Sequence, residues 1–224
     1  MIKTIFKKLL KASGKNYEID PQIPSKFIFQ MLSDRFWMLF RGFLKTGKKV
    51  YIGRHTVIYN KSNITFGHHV AIEKHCVIDG FSSGKLVFGN FAKIGAYSKI
   101  FSTAHPSKYG VGLKMGDHSA VGQFSEFGAA GGIEIGNDVI MGSYVSFHSE
   151  NHNFLDQSKL IREQGVTSKG IKIGNNVWVG AKVTFLDGCQ VGNHCVVAAG
   201  AVVNGNYPDN SIIGGVPAKV LKTI

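Results

Sequence analysis

The chain has 224 residues, of which 44% are hydrophobic and 28 are glycine, and its formal net charge is +12 at pH 7. A chain of this length can bury a core without disulfides or metal, and it has no apolar run near the roughly 20 residues that span a bilayer, which argues against an integral membrane protein. The three cysteines form no CxxC pair and no signal peptide precedes them, so we expect a cytoplasmic protein. The positive charge favours an anionic partner, although no recognition motif indicates nucleic acid.

Residues 1 to 48 differ from the rest and form a predicted helical segment. A cationic amphipathic stretch, MIKTIFKKLLKA, and an aromatic stretch, KFIFQMLSDRFWMLFRGFLKTG, flank a break bounded by prolines. Both stretches have the apolar spacing of helices. We expect the second helix to pack against the main domain or a neighbouring subunit through Phe27, Met31, Phe36, Met38, Leu39 and Leu44. Because basic residues stand beside Phe and Leu, peripheral contact with a membrane is the alternative.

From residue 49 to residue 215 the chain repeats every six residues. One register places an apolar residue at Ile173, Val179, Phe185, Val191, Val197 and Val203. This period fits a coil in which three short strands make a turn of about 18 residues and successive turns stack about 4.8 Å apart. Glycine often follows the apolar residue, and we expect it there because the corners need φ values that a β-carbon resists. Residues 216 to 224 are predicted to be a C-terminal tail.

Three segments interrupt the repeat, at residues 81 to 85, 102 to 114 and 148 to 170. A packed coil has no room for a site at its axis, so we expect chemistry where a segment leaves the coil or where subunits meet. The third excursion begins HSENHNF and contains an R-x-x-G element at Arg162 and Gly165, after which the coil resumes as GIKIGNNVWVG.

Over about residues 50 to 224 these features resemble the hexapeptide-repeat acyltransferases, including the G-x-P-A-K ending from Gly215 to Lys219. The resemblance implies an all-β solenoid, a left-handed parallel β-helix, and is greatest to the O-acetyltransferases of sugars and polysaccharides. It also implies acetyl-CoA as the acyl donor, no metal, and a sugar or polysaccharide acceptor. A homotrimer with the active site between subunits is a further implication.

The resemblance implies that His152 is the catalytic base. A neutral imidazole, with an unperturbed pKa of about 6.5, can take the proton of an acceptor hydroxyl as that hydroxyl attacks a thioester. His105, in the sequence TAHP, and His148 are the alternative bases.

Family contacts with coenzyme A carry over to five positions of this chain. The resemblance implies that Ala181 and Ala199 offer backbone groups to the pantetheine arm and that Asn204 is the next contact. Lys219 and Lys222 would meet the adenosine phosphates, where a cation gains a charge-assisted contact.

On the acceptor side the family uses an Asn and an Asp, and the nearest polar candidates here are Gln123, Ser125 and Glu126. Asn151 is a further candidate because it stands beside the predicted base. Trp178 either lines the acyl channel or packs at the edge of the core.

Two other functions stay open, namely acetylation of a small molecule such as an antibiotic or serine, and a non-catalytic hexapeptide-repeat scaffold. A zinc site formed by His68, His69 and His75 is not expected, because no cysteine or carboxylate completes a familiar ligand spacing.

Overall fold

The computed structural model describes Lys3, Phe6, Lys7, residues 18 to 103, His105 and residues 108 to 224. One long helix, α1 (Ser25–Thr46), precedes the strands. Apart from Lys3, Phe6 and Lys7, the amphipathic helix predicted for residues 1 to 12 lies outside the described residues. Within the described part of the chain, no helix is both long and apolar enough to cross a bilayer.

The strands after α1 form three sheets, and each sheet takes every third strand of the coil. Sheet A contains β1 (Tyr51–Ile52), β4 (Ala71–Ile72), β7 (Lys93–Ile94), β10 (Ala120–Val121), β13 (Ile140–Met141), β18 (Trp178–Val179), β21 (Val196–Val197), β24 (Ser211–Gly215) and β25 (Ala218–Thr223). Sheet B contains β2 (Val57–Tyr59), β5 (Val77–Asp79), β8 (Lys99–Phe101), β11 (Glu126–Gly128), β14 (Ser146–His148), β19 (Thr184–Leu186) and β22 (Val202–Val203). Sheet C contains β3 (Ile64–Phe66), β6 (Leu86–Phe88), β9 (Leu113–Met115), β12 (Ile133–Ile135), β17 (Ile171–Ile173), β20 (Gln190–Val191) and β23 (Asn206–Tyr207).

Pairing within these sheets is parallel, except that β25 runs antiparallel to β24. The predicted coil of three strands per turn is therefore present. The segment predicted to be a tail contains β25, which adds a last strand to sheet A. Outside the coil, β15 (Asn151–His152) and β16 (Val166–Thr167) form a small antiparallel sheet of their own.

The coil has three edges, which we name AB, BC and CA after the two sheets that the connections at each edge join. The lengths of these connections differ between the edges. At the AB edge every connection has four residues: 53–56, 73–76, 95–98, 122–125, 142–145, 180–183 and 198–201. The CA edge also uses four residues in each of its first six connections: 67–70, 89–92, 116–119, 136–139, 174–177 and 192–195. The BC edge varies, with connections 60–63, 80–85, 102–112, 129–132, 149–170, 187–189 and 204–205. All three predicted interruptions therefore leave the coil at the BC edge.

The glycines that follow the apolar residues do not have the conformation that we predicted. Residues with positive φ stand two places later, for example Asn176 (φ 54°) and Lys182 (φ 60°), whereas Gly174 and Gly180 are outside the left-handed region. Glycine is needed for space instead, because a β-carbon on Gly180 would lie 2.5 Å from the backbone N of Ala199 in the next turn. The prediction that φ selects glycine here is wrong, and close approach of stacked turns is the reason for it.

The inside of the coil is a continuous apolar stack. Phe127, Phe147 and Phe185 occupy one column of sheet B, with ring centroids 4.6 and 4.9 Å apart. At the CA edge, the side chains of Asn and Asp residues accept hydrogen bonds from the backbone of the preceding turn. For example, the side-chain oxygen of Asn175 accepts from the backbone N–H of Asn137 at 2.8 Å. Such a ladder satisfies corner N–H groups that the sheets leave unpaired.

Helix α1 covers the first turn with only part of its apolar surface. Ile28, Met38 and Gly42 are buried, and Gly42 lies against the carbonyl oxygen of Val50. Of the residues that we expected to pack, Met38 does so, whereas others remain exposed in this chain: Phe27, Phe36 and Leu44.

Candidate active site

The long excursion at the BC edge folds back on itself as a hairpin. His152 pairs with Val166 and Asn151 with Thr167, and the side-chain amide of Asn153 donates to the Gln164 carbonyl at 3.0 Å. Positive φ at Gly165 (75°) makes the return possible, which accounts for the glycine of the R-x-x-G element. Both His152 and Arg162 are exposed.

A polar cluster joins this hairpin to the preceding excursion. The Lys108 ammonium group donates to the Ser168 hydroxyl and forms an ion pair with Glu150 at 3.4 Å. Ser168 also donates to Glu150 at 3.3 Å. Our sequence reasoning missed Lys108 and Ser168, because they are 60 residues apart and only the shared BC edge brings them together.

A cavity of about 540 Å³ opens beside the predicted base. Its described lining residues all belong to the excursion: Asn151, His152, Asn153, Phe154, Leu155, Asp156, Lys159, Glu163, Gln164 and Thr167. Leu155 is 85% exposed and Phe154 is 65% exposed, so the hairpin presents apolar side chains to its surroundings. The structure thus brings Asn151 and His152 together, on a projecting arm.

The residues predicted for the donor lie at the AB edge. Ala181 and Ala199 hold the same corner position in consecutive turns, and Gly200 N–H donates to the Ala181 carbonyl at 2.9 Å. Both alanines are exposed, and neither of their N–H groups donates a hydrogen bond to another described residue. Asn204 is exposed as well, but it follows β22 and so lies at the BC edge.

The two predicted phosphate-binding lysines share one face of β25. Lys219 lies opposite Gly214 and Lys222 opposite Ile212, with Leu221 forming a bulge between them. The side chains of residues opposite each other in an antiparallel pair point to the same face of the sheet. Gly214 and Ile212 are two residues apart and therefore share a face, so the two lysines opposite them both point to the outer face of sheet A. Trp178 is 58% exposed on the same outer face of sheet A, three strand spacings or about 14 Å from Lys222.

Apart from Asn151, the predicted acceptor residues are separated from His152 within the chain. Gln123 is exposed at the AB edge, two turns before Ala181, and Glu126 is exposed on β11. Ser125 is buried, where its hydroxyl donates to the Gly122 carbonyl and accepts from Val145 N–H, so its place among the acceptor candidates was wrong.

The remaining histidines and cysteines lie elsewhere. His105 and His148 are exposed at or beside the BC edge. His68 and His69 are at the CA edge and His75 is at the AB edge, so the coil separates them. All three cysteines are buried, and burial raises the pKa of each thiol, that of Cys189 to about 12. Buried thiols with a raised pKa are unreactive, which fits a structural role.

Residues 170 to 205 match the family model described as bacterial transferase hexapeptide (six repeats). A relative in Escherichia coli, the putative lipopolysaccharide biosynthesis O-acetyl transferase WbbJ, is 32% identical over 172 residues, which is 74% of each protein. The chain belongs to the hexapeptide-repeat acyltransferases. The resemblance that the sequence motifs indicated is thereby confirmed.

Other members of the hexapeptide-repeat acyltransferases match shorter stretches. A probable acetyltransferase of Mycobacterium tuberculosis is 34% identical over 62% of this chain, and the galactoside O-acetyltransferase of Escherichia coli is 32% identical over 41% of it. The chain spans 44% of the length of each of these two relatives. Among solved structures, AntD, an N-acyltransferase from Bacillus cereus in complex with dTDP and coenzyme A, superposes with a TM-score of 0.52 at 20% identity, over 79% of this chain and 81% of that one. At this identity the likeness shows the fold alone.

Proposed function

We propose that this chain is an O-acetyltransferase that moves an acetyl group from acetyl-CoA to a sugar hydroxyl of a polysaccharide or its precursor. The observation that carries the proposal is the hairpin that presents exposed His152 beside a cavity, in a chain that matches a putative O-acetyl transferase over 74% of its length. The unpaired N–H groups of Ala181 and Ala199 suit the amide-rich arm of coenzyme A, and the outward lysines of β25 suit its phosphates.

In the proposed reaction His152 is the general base. A ring nitrogen of its imidazole takes the proton of the acceptor hydroxyl while the oxygen attacks the thioester carbonyl carbon. The carbon–sulfur bond then breaks, and the coenzyme A thiolate leaves with the electron pair and takes up the proton that the His152 imidazolium holds. No covalent intermediate on the protein is required, which agrees with the burial of the cysteines.

We further propose that the site lies between subunits of a homotrimer whose coils are left-handed, as the family resemblance implies. In one chain His152 belongs to the BC edge, whereas Ala181 and Ala199 lie at the AB edge. A neighbouring copy would bring one edge to the other. The apolar tip of the hairpin supports this arrangement, because most of the surface of Leu155 and Phe154 is exposed.

Release of free thiol from acetyl-CoA in the presence of oligosaccharides tests the proposal. His152→Ala should lower turnover by at least about 10² because general-base help is of that size. His68→Ala is the matched control, since His68 is also exposed but lies at the CA edge, away from the excursion.

Full activity of the His152→Ala variant would contradict the assignment, and His105 would become the candidate base. A screen with free and lipid-linked oligosaccharides, an antibiotic and serine separates the polysaccharide acceptor from the small-molecule alternative. Absence of thiol release with every acceptor would favour a scaffold.

A further inference from the structure

The outer side of α1 carries a continuous aromatic surface. At 3.6 residues per turn, six large apolar side chains fall opposite the buried Ile28, Met38 and Gly42. This aromatic face consists of Phe29, Phe36, Trp37, Phe40, Phe43 and Leu44. Phe36 is 62% exposed and Phe40 is 47% exposed, and Trp37 meets both rings edge-on, with centroids 5.5 and 5.9 Å away. Contiguous apolar surface of this kind marks an interaction site.

Polar contacts on the other sides of the helix fix its rotation. Arg41 donates to the Ile52 carbonyl at 2.9 Å and Lys45 to the Thr56 carbonyl at 2.7 Å. Arg35 lies 3.8 Å from the Glu73 carboxylate and 5.5 Å from the centre of the Tyr51 ring. With these three side chains bound to the coil, turning the helix to bury its aromatic face would break every one of these contacts.

The net charge of the protein is concentrated in the part of the sequence that contains this helix. Residues 1 to 49 contain eleven Lys and Arg against three acidic residues, a net charge of +8, which leaves +4 for residues 50 to 224. Lys26, Lys48 and Lys49 are exposed at the two ends of α1. The partner of the aromatic face must therefore be apolar and negatively charged.

We propose that the aromatic face of α1 docks on the surface of an anionic lipid membrane, with the helix lying in the plane of the interface. Aromatic and aliphatic side chains enter the boundary between headgroups and acyl chains, while lysines at the helix ends meet the anionic headgroups. A second copy of the chain is the poorer partner, because it would bring another segment of +8 against the first. The inference is independent of the acetyl-transfer reaction.

Cosedimentation of the full-length protein with vesicles tests the proposal. The wild type should bind vesicles of phosphatidylglycerol and phosphatidylcholine, and should bind phosphatidylcholine vesicles weakly. The double variant Phe36→Ser/Phe40→Ser should lower binding at least about tenfold, because it removes two apolar side chains from the interface. Phe81→Ser is the matched control, since Phe81 and Phe40 are each 47% exposed but Phe81 lies outside the aromatic face, and it should bind as the wild type does. Lys48→Glu/Lys49→Glu should weaken binding to the anionic vesicles alone.

Three results would overturn the proposal. These are no binding of the wild type to anionic vesicles, equal binding by the double variant, and a lower molecular mass of the double variant in solution, which would mean that the aromatic face is buried between copies. Thiol release with a soluble acceptor, measured in the same variants, keeps the outcome separate from that of the proposed reaction.

Discussion

Single residues determine how the end of the coil presents its charges. Lys219 and Lys222 are three residues apart, a spacing that places side chains on opposite faces of a regular strand. The bulge at Leu221 adds the one residue that returns them to the same face. The sequence resemblance suggested both lysines for coenzyme A, but only the pairing register explains how two residues at this spacing can meet one group of phosphates.

We expect Lys219→Ala and Lys222→Ala each to weaken acetyl-CoA binding about three- to tenfold, because each removes one charge-assisted contact with phosphate. Isothermal titration calorimetry at low ionic strength measures the effect. Lys172→Ala is the control, since Lys172 is exposed on sheet C and faces Glu134. Equal affinity in all three variants would remove the two lysines from the donor site.

At the scale of the strands and corners, the stacking of turns is the constraint that the sequence pattern reflects. A β-carbon on Gly174 would lie 2.8 Å from the carbonyl carbon and oxygen of Gly192, whereas one on Gly200 would meet nothing within 4 Å. Gly200 has a φ of 73°, so its substitution carries a conformational cost only.

Gly174→Ala should therefore lower the free energy of unfolding by about 3 kcal/mol and Gly200→Ala by about 1 kcal/mol. Urea denaturation followed by circular dichroism measures both values. The reverse order would show that backbone conformation, and not the approach of successive turns, selects glycine at these corners.

The strands were predictable and the orientation of α1 was not. A period of six recurs through the coil, and each repeat buries its apolar residue whatever surrounds it, as Val179 and Phe185 illustrate. Helix α1 is apolar on two sides, so spacing identifies a helix without indicating which side docks. The side that contains Gly42 is the buried one, because the missing β-carbon lets the helix approach the Val50 carbonyl. This contact joins two segments of the chain, and apolar spacing within the helix does not predict it.

For the whole molecule, the position of the candidate site depends on which edge each segment leaves. The sequence indicated the His152 excursion through its motif and its interruption of the repeat. It did not indicate that this excursion lies at the BC edge together with the segment that contains Lys108. The edge at which a segment leaves the coil depends on the number of strands that precede it, and this number is known only from the structure. Nor did it show that Ala181 and His152 lie at different edges of one chain.

We expect the protein to be a trimer in which the hairpin tip packs on a neighbouring subunit. Leu155→Asp should reduce the mass in analytical ultracentrifugation and lower acetyl transfer, because it places a charge in an apolar contact. Gln157→Asp is the control, since it adds a charge to an exposed polar position of the same excursion. A trimer that is unchanged by Leu155→Asp would place the tip outside the interface.

The unequal corners have a consequence for insertions and deletions. At the AB and CA edges one added residue would turn the inward residues of the following strand outward, because side chains alternate along a strand. The BC edge already holds connections of three residues, as at 187–189, and of twenty-two, as at 149–170. We therefore expect insertions to be tolerated at the BC edge alone, which is the edge that carries His152.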